Sequence, residues 1–240
     1  GNMRPHGIGS GKVHNYNEAI EKYNPCIHIN DRVLGDNGGY PHSWYEFIPK
    51  SVQEQRFEPG FSCPLIIVLH GGGSDHNISV SEFKLHELGE REGFITVYAK
   101  ATYENSWNSV LSPMRKNDLE YITALIEYMK RNYPVDPSRV YMSGFSNGSG
   151  MAQLTGAARP DLVAGILAYN TRFKCEEYMW DLARKAKQQY DYRMPVFSTY
   201  GTLDAEYPPQ EGCGQFTQMR FWKWFNNIEQ KELRSDDPSG

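Results

Sequence analysis

Residues 65–69 form an unbroken apolar run, Leu65-Ile66-Ile67-Val68-Leu69, the pattern of a strand buried on both faces. Similar short runs recur downstream at 94–98, 140–143, 163–169 and 195–200. Between them lie helical patterns. Residues 81–92 read as one helix stopped by Gly93. From Asp118, the positions Leu119, Ile122, Leu125, Ile126 and Met129 fall on one helical face, and Pro134 ends it. Helices are also predicted at about 148–158, at 175–190 and at 215–226, the last carrying Phe216, Met219, Phe221, Trp222 and Phe225. Upstream, 27–29 and 43–49 read as strands, and 50–59 as a polar connection. Apolar strands alternating with amphipathic helices imply βαβ units, a mostly parallel sheet and helices on both faces. The expected organisation is a single α/β domain over residues 26–232, with a loose Gly-rich arm at 1–25 and a polar tail at 233–240.

Composition narrows this little. The 240 residues carry 25 Lys+Arg against 29 Asp+Glu, a net charge of −4. With no long basic run, nucleic acid is not an expected partner. No apolar stretch approaches the ~18 residues of a membrane span, so no membrane partner is expected. Aromatic residues at 13% argue against disorder. Cys26, Cys63, Cys175 and Cys213 show no C-x-x-C spacing, which disfavours a zinc ribbon or redox motif. They suit either one or two disulfides or buried thiols. Asn77-Ile78-Ser79 fits a glycosylation sequon. No metal-ligand spacing stands out among the histidines.

Two motifs carry chemistry. Gly144-Phe145-Ser146-Asn147-Gly148 matches G-x-S-x-G between a predicted strand and a predicted helix. A sharp strand-to-helix turn exposes the serine Oγ. The flanking glycines are needed because a Cβ there would crowd the turn, and the helix start offers N–H groups to a developing oxyanion. The enclosure of this turn discounts the overlapping sequon at Asn147. His70-Gly71-Gly72-Gly73 follows the 65–69 strand. Its glycines let backbone N–H groups turn inward, so Gly72, Gly73 and Asn147 are the candidate oxyanion donors. A phosphate loop is excluded because no Lys-Ser/Thr follows, and a dinucleotide site lacks its G-x-G-x-x-G.

This order of strand, HGGG, helices, Val135-Asp136-Pro137-Ser138-Arg139-Val140 and elbow resembles the α/β-hydrolase fold. More closely, it resembles the esterases that group with polyhydroxybutyrate depolymerases, feruloyl esterases and acetyl xylan esterases, over roughly residues 44–225. The resemblance implies a serine ester hydrolase that forms an acyl-enzyme on Ser146. It implies acyl or feruloyl esters of plant polysaccharide, or polyesters, as substrates, and neither a metal nor an organic cofactor. Gly201-Thr202-Leu203-Asp204, with Pro208 beyond, resembles the family's acid motif, which makes Asp204 the candidate to orient a histidine. Asp118 is the rival carboxylate, but its position suits a helix N-cap.

The base departs from the pattern. The hydrolase order is Ser, acid, His, yet all seven histidines, His6, His14, His28, His42, His70, His76 and His86, precede Ser146. Three explanations stay open, in this order: a truncated chain lacking the last strand and its histidine, a substitute histidine, or a non-catalytic relative. His76 and His70 lie nearest the glycine loop, although His70 reads as a loop organiser, and His6 and His14 sit on the arm. A ligand-binding pseudo-enzyme and a peptidase of the same fold are therefore the alternative functions. Among the tryptophans, Trp107 is the candidate substrate contact, because loops at carboxyl strand ends line α/β sites. A lost strand would leave an open sheet edge that a homodimer could cover. A secreted or periplasmic location is expected.

Overall fold

The computed structural model describes residues 16–35, 41–113, 117–170, 177–201, 204 and 214–228. In chain order the elements are α1 (Tyr16–Tyr23), β1 (Cys26–Asp31), β2 (His42–Phe47), α2 (Lys50–Gln55), β3 (Cys63–Leu69), α3 (His76–Phe83), α4 (Leu85–Glu92) and β4 (Ile95–Lys100). They continue as α5 (Asp118–Asn132), β5 (Val135–Phe145), α6 (Asn147–Ala158), β6 (Gly165–Tyr169), α7 (Glu177–Gln189), β7 (Val196–Thr199) and α8 (Gln215–Phe225). The sheet runs β1-β2-β4-β3-β5-β6-β7. From β4 to β7 all pairings are parallel, while β1 and β2 add an antiparallel edge. This is the mostly parallel α/β sheet that the alternating pattern implied.

The two faces of β3 show why the run 65–69 is apolar throughout. Leu65, Ile67 and Leu69 join the larger core with Ile122, Leu125, Ile126 and Met129 of α5 and Phe221, Trp222 and Phe225 of α8. Val68 faces the other way, with Tyr45, Phe47, Tyr98 and Val80, under α1 and α3. Fully burying such a side chain contributes about 1.5–3 kcal/mol.

Several elements differ from the pattern's prediction. Residues 16–23, expected as part of a loose arm, form α1, whose Tyr16, Ala19, Ile20 and Tyr23 pack on the smaller core. The polar connection at 50–59 contains α2, which seats Val52 in the larger core. The single helix expected at 81–92 is two. Asp75 caps α3 by accepting from the N–H groups of Asn77 and Ile78, and Lys84 at φ 50° separates it from α4. The reason is one of phase. Val80 and His86 are both buried, but six steps of about 100° put them about 120° apart on one continuous helix. A left-handed residue between them turns both faces inward. Cys26 and Cys63 are free thiols, and Cys175 and Cys213 lie outside the described residues.

Two buried imidazoles tie stability to pH. His76 stacks on Tyr45 and His86 on Phe47, and burial pushes each down to about 4 from an ordinary 6.5. Values below the unfolded one mean that the neutral rings stabilise the fold above pH 6.5, and that this is lost as pH falls toward 4. The urea midpoint should therefore drop between about pH 7 and about pH 5, and His76→Phe should flatten part of the drop. A midpoint constant across that window would contradict this reading.

Candidate active site

Ser146 lies between the end of β5 and the first residue of α6, at φ 51° and ψ −117°. For a residue with a Cβ this conformation costs about 1–3 kcal/mol and persists only where the surroundings over-determine it. Here the surroundings are backbone. A Cβ on Gly148 would lie 2.3 Å from the Leu69 carbonyl oxygen and 2.4 Å from that of His70. A Cβ on Gly144 would lie 2.4 Å from Gly148. The start of α6 therefore passes in direct contact with the end of β3, and only glycine permits that approach. The Ser146 N–H donates to the Tyr169 carbonyl at 3.0 Å, which ties the turn to β6. Its side chain is half-buried.

The glycine loop sits against this turn. A Cβ on Gly72 would meet the Asn147 Cβ at 3.4 Å. Asn147 opens α6, so its own N–H has no acceptor within the helix, and among the described residues the Gly72 N–H has no backbone partner. Gly73 does not share this role. At φ 73° it donates its N–H to Asn105 O at 2.9 Å. That corrects the expectation of Gly73 as an oxyanion donor, because its hydrogen is already committed. The two remaining donors, Gly72 and Asn147, are backbone groups on adjoining segments, an arrangement that can accept a negative oxygen.

His70 organises the loop. It is fully buried, with Nδ1–H donated to Gly71 O at 2.7 Å and Nε2 accepting from the Ala101 N–H at 3.0 Å. Burial lowers its pKa, so the ring is the neutral Nδ1–H tautomer with both nitrogens occupied. Trp107 is likewise structural. It was the candidate substrate contact, but its side chain is 0% exposed, donates to His70 O at 2.9 Å and stacks on Tyr121. Its backbone serves the site instead: Asn147 Oδ1 accepts from the Trp107 N–H at 2.6 Å, and Asn147 Nδ2 donates to Trp107 O at 3.1 Å.

Asp118 is not the helix cap. Asn117 caps α5 by accepting from the Glu120 N–H. Asp118, buried one position later, accepts from the Thr102 hydroxyl at 3.1 Å and the Asn108 N–H at 2.7 Å. It anchors the loop that carries Trp107.

Asp204 lies beyond β7, where it accepts from Asn170 Nδ2 at 2.5 Å. Asn170 follows β6 at φ 44° and donates its N–H to Thr199 O. The ends of β5, β6 and β7 thus bring Ser146, Asn170 and Asp204 to neighbouring positions. Asn170 was not singled out from sequence. Its only signal was a lone Asn after a strand, a residue that tolerates the left-handed region.

None of the described histidines bonds Ser146. His28 bonds Asp31 and Glu46, His42 stacks on Tyr121, and His86 Nδ1 bonds the Tyr98 hydroxyl. His76, the proposed substitute, has no hydrogen-bond partner at either ring nitrogen and so does not bond Ser146. His6 and His14 lie outside the described residues.

The glycine contact yields a direct prediction. Gly148→Ala forces a methyl group into two carbonyl oxygens and should destabilise by about 1–3 kcal/mol, a fall of roughly 3–10 °C in Tm for a chain of this size. An unchanged melting temperature would contradict the close approach.

Comparison with known proteins agrees with this architecture. The family described as phospholipase/carboxylesterase matches residues 62–239. A bifunctional acetylxylan esterase/xylanase of Neocallimastix patriciarum is 32% identical over 144 residues, covering 60% of this chain and 19% of that one. Poly(3-hydroxyalkanoate) depolymerase C of Paucimonas lemoignei is 29% identical over 209 residues, covering 75% and 49%. The chain therefore spans at most about half the length of these relatives. The fluorophosphonate-binding serine hydrolase F of Staphylococcus aureus superposes with a TM-score of 0.61 over 85% of this chain and 87% of that one, at 12% identity, a likeness of fold. With the family match running from just before β3 through α8, the chain belongs to the phospholipase/carboxylesterase family and has the α/β-hydrolase fold.

Proposed function

We propose that this chain is a serine ester hydrolase that passes the acyl group of its substrate through Ser146. The observation that carries the reading is the turn itself: a serine held at φ 51° beside the backbone of Gly72 and Asn147. In the proposed reaction Ser146 Oγ attacks the ester carbonyl carbon, and the Gly72 and Asn147 N–H groups stabilise the negative oxygen. The alcohol leaves with a proton, and water then cleaves the acyl-enzyme. Asp204, held by Asn170, would orient the imidazole that takes the serine proton. That imidazole is proposed to come from outside the described residues, because none of the described histidines has a ring nitrogen bonded to Ser146. Similarity to an acetylxylan esterase and to a polyhydroxyalkanoate depolymerase supports acyl esters of polysaccharides or polyesters as substrates. Such polymers fit an exported enzyme.

The second reading is a hydrolase-fold binding protein without turnover, favoured by the absence of a described histidine bonded to Ser146. Hydrolysis of p-nitrophenyl acetate separates the two. The ester hydrolase predicts turnover that Ser146→Ala reduces by about a thousandfold or more. Turnover indistinguishable between wild type and Ser146→Ala would reject it. The two carboxylates should also part company. Asp204→Ala should cut turnover and leave Tm within a few degrees. Asp118→Ala should lower stability by about 1–3 kcal/mol, since it strands the Asn108 N–H and Thr102 hydroxyl.

A further inference from the structure

At the antiparallel edge of the sheet, strand pairing assembles a group of side chains that ester hydrolysis does not use. Cys26 and Glu46 are register partners across β1 and β2, and His28 pairs with Trp44 two residues along. Side chains two apart on a strand share a face. The result is a thiol, an imidazole and a carboxylate whose ligand atoms all lie within 4.8 Å of one another. Cys26 Sγ is 3.3 Å from His28 Nε2, and His28 Nε2 is 3.0 Å from Glu46 Oε1. No ligand spacing in the sequence stands out at these positions, because strand register rather than sequence separation brings them together.

We propose that Cys26, His28 and Glu46 form a zinc site that fastens β1 to β2. Zinc bonds of about 2.0–2.3 Å to nitrogen, oxygen and sulfur put tetrahedral ligand atoms roughly 3.3–3.6 Å apart, so the thiol–imidazole and imidazole–carboxylate separations need only tenths of an ångström of adjustment, and the thiol–carboxylate pair, within 4.8 Å, needs about 1 Å at most. The donor set of thiolate, imidazole and carboxylate suits zinc better than the hard cations, which prefer oxygen alone.

The surroundings are those of a built site. His28 Nδ1 bonds the Asp31 carboxylate at 2.7 Å, the arrangement that fixes the tautomer and ring orientation of a metal-bound histidine. The ring lies flat on the Trp44 indole, with centroids 4.1 Å apart and planes 8° from parallel. Glu46 is 0% exposed, and its oxygens accept from Trp44 Nε1 at 2.7 Å and from the Tyr133 hydroxyl. A carboxylate buried to that degree demands positive charge beside it. Cys26 is exposed, which leaves an entry path and a fourth position for water. Ligand binding releases the Cys26 thiol proton and removes the proton between His28 and Glu46.

The competing occupant is that proton alone, with a charged His28 bridging Asp31 and Glu46. Titrating the metal-free full chain with zinc, in competition with a chromophoric chelator, distinguishes them. Cobalt(II) serves as the spectroscopic probe for a thiolate ligand. The zinc site predicts one equivalent bound, a thiolate-to-cobalt charge-transfer band and a raised Tm. All three should be lost in Cys26→Ser, a change at the exposed edge that leaves the free chain folded by circular dichroism. Asp31→Asn should weaken binding by about 10–100-fold while keeping the band. Failure to bind one equivalent, or a band that survives Cys26→Ser, would overturn the proposal. Neither readout depends on whether Ser146 turns over an ester.

Discussion

The start of α6 crosses the end of β3 backbone against backbone, and the geometry around Ser146 follows from that contact. Gly148 lies so near the Leu69 and His70 carbonyl oxygens that a methyl group there would overlap them. Gly144 leaves equal clearance from below. Between two such constraints the chain has no relaxed path, and Ser146 takes a strained positive-φ conformation. The cost, about 1–3 kcal/mol, is offset by the parallel sheet and the two cores that hold β3 and β5 in place. A serine presented this way is held at the turn by backbone constraints on both sides.

A second layer keeps the glycine loop in register with the turn. It is polar but buried: His70 bridges Gly71 and Ala101, Trp107 bonds His70 O, and the Asn147 amide pairs in both directions with the Trp107 backbone. Asp118 closes the chain of contacts through Thr102 and Asn108. Each group is satisfied, which makes such a network rigid rather than costly. The loops after β3 and β4 and the start of α6 thereby act as one unit.

Much of this was legible in the residues. The run Leu65 to Leu69 announced a central strand, and the G-x-S-x-G and HGGG motifs marked the two segments that do meet. The misreadings have physical causes. Asn117 and Asp118 are both good caps, and composition does not say which one accepts from the helix. Trp107 follows a strand end, but position in a loop does not determine exposure, and its indole found a buried acceptor. Gly73 is a glycine for its φ, and its N–H is taken by Asn105. Lys84 breaks a helix for reasons of phase that a run of good helix formers hides. Cys26, His28 and Glu46 meet only through strand register, and Asn170 reaches Asp204 only through the order of β6 and β7. No periodic pattern encodes either contact. The family itself was legible, and so was the irregularity in its base: every histidine precedes the serine, and none of the described ones bonds it.

The central claim is that this turn makes Ser146 Oγ a nucleophile. The most direct test is to treat the full chain with a fluorophosphonate and locate the adduct by peptide-level mass spectrometry. The account predicts a single phosphonylated residue, Ser146, with the nearby Ser143 and Ser149 unmodified. A chain left unlabelled under conditions that label an active serine hydrolase, or an adduct on another residue, would contradict it.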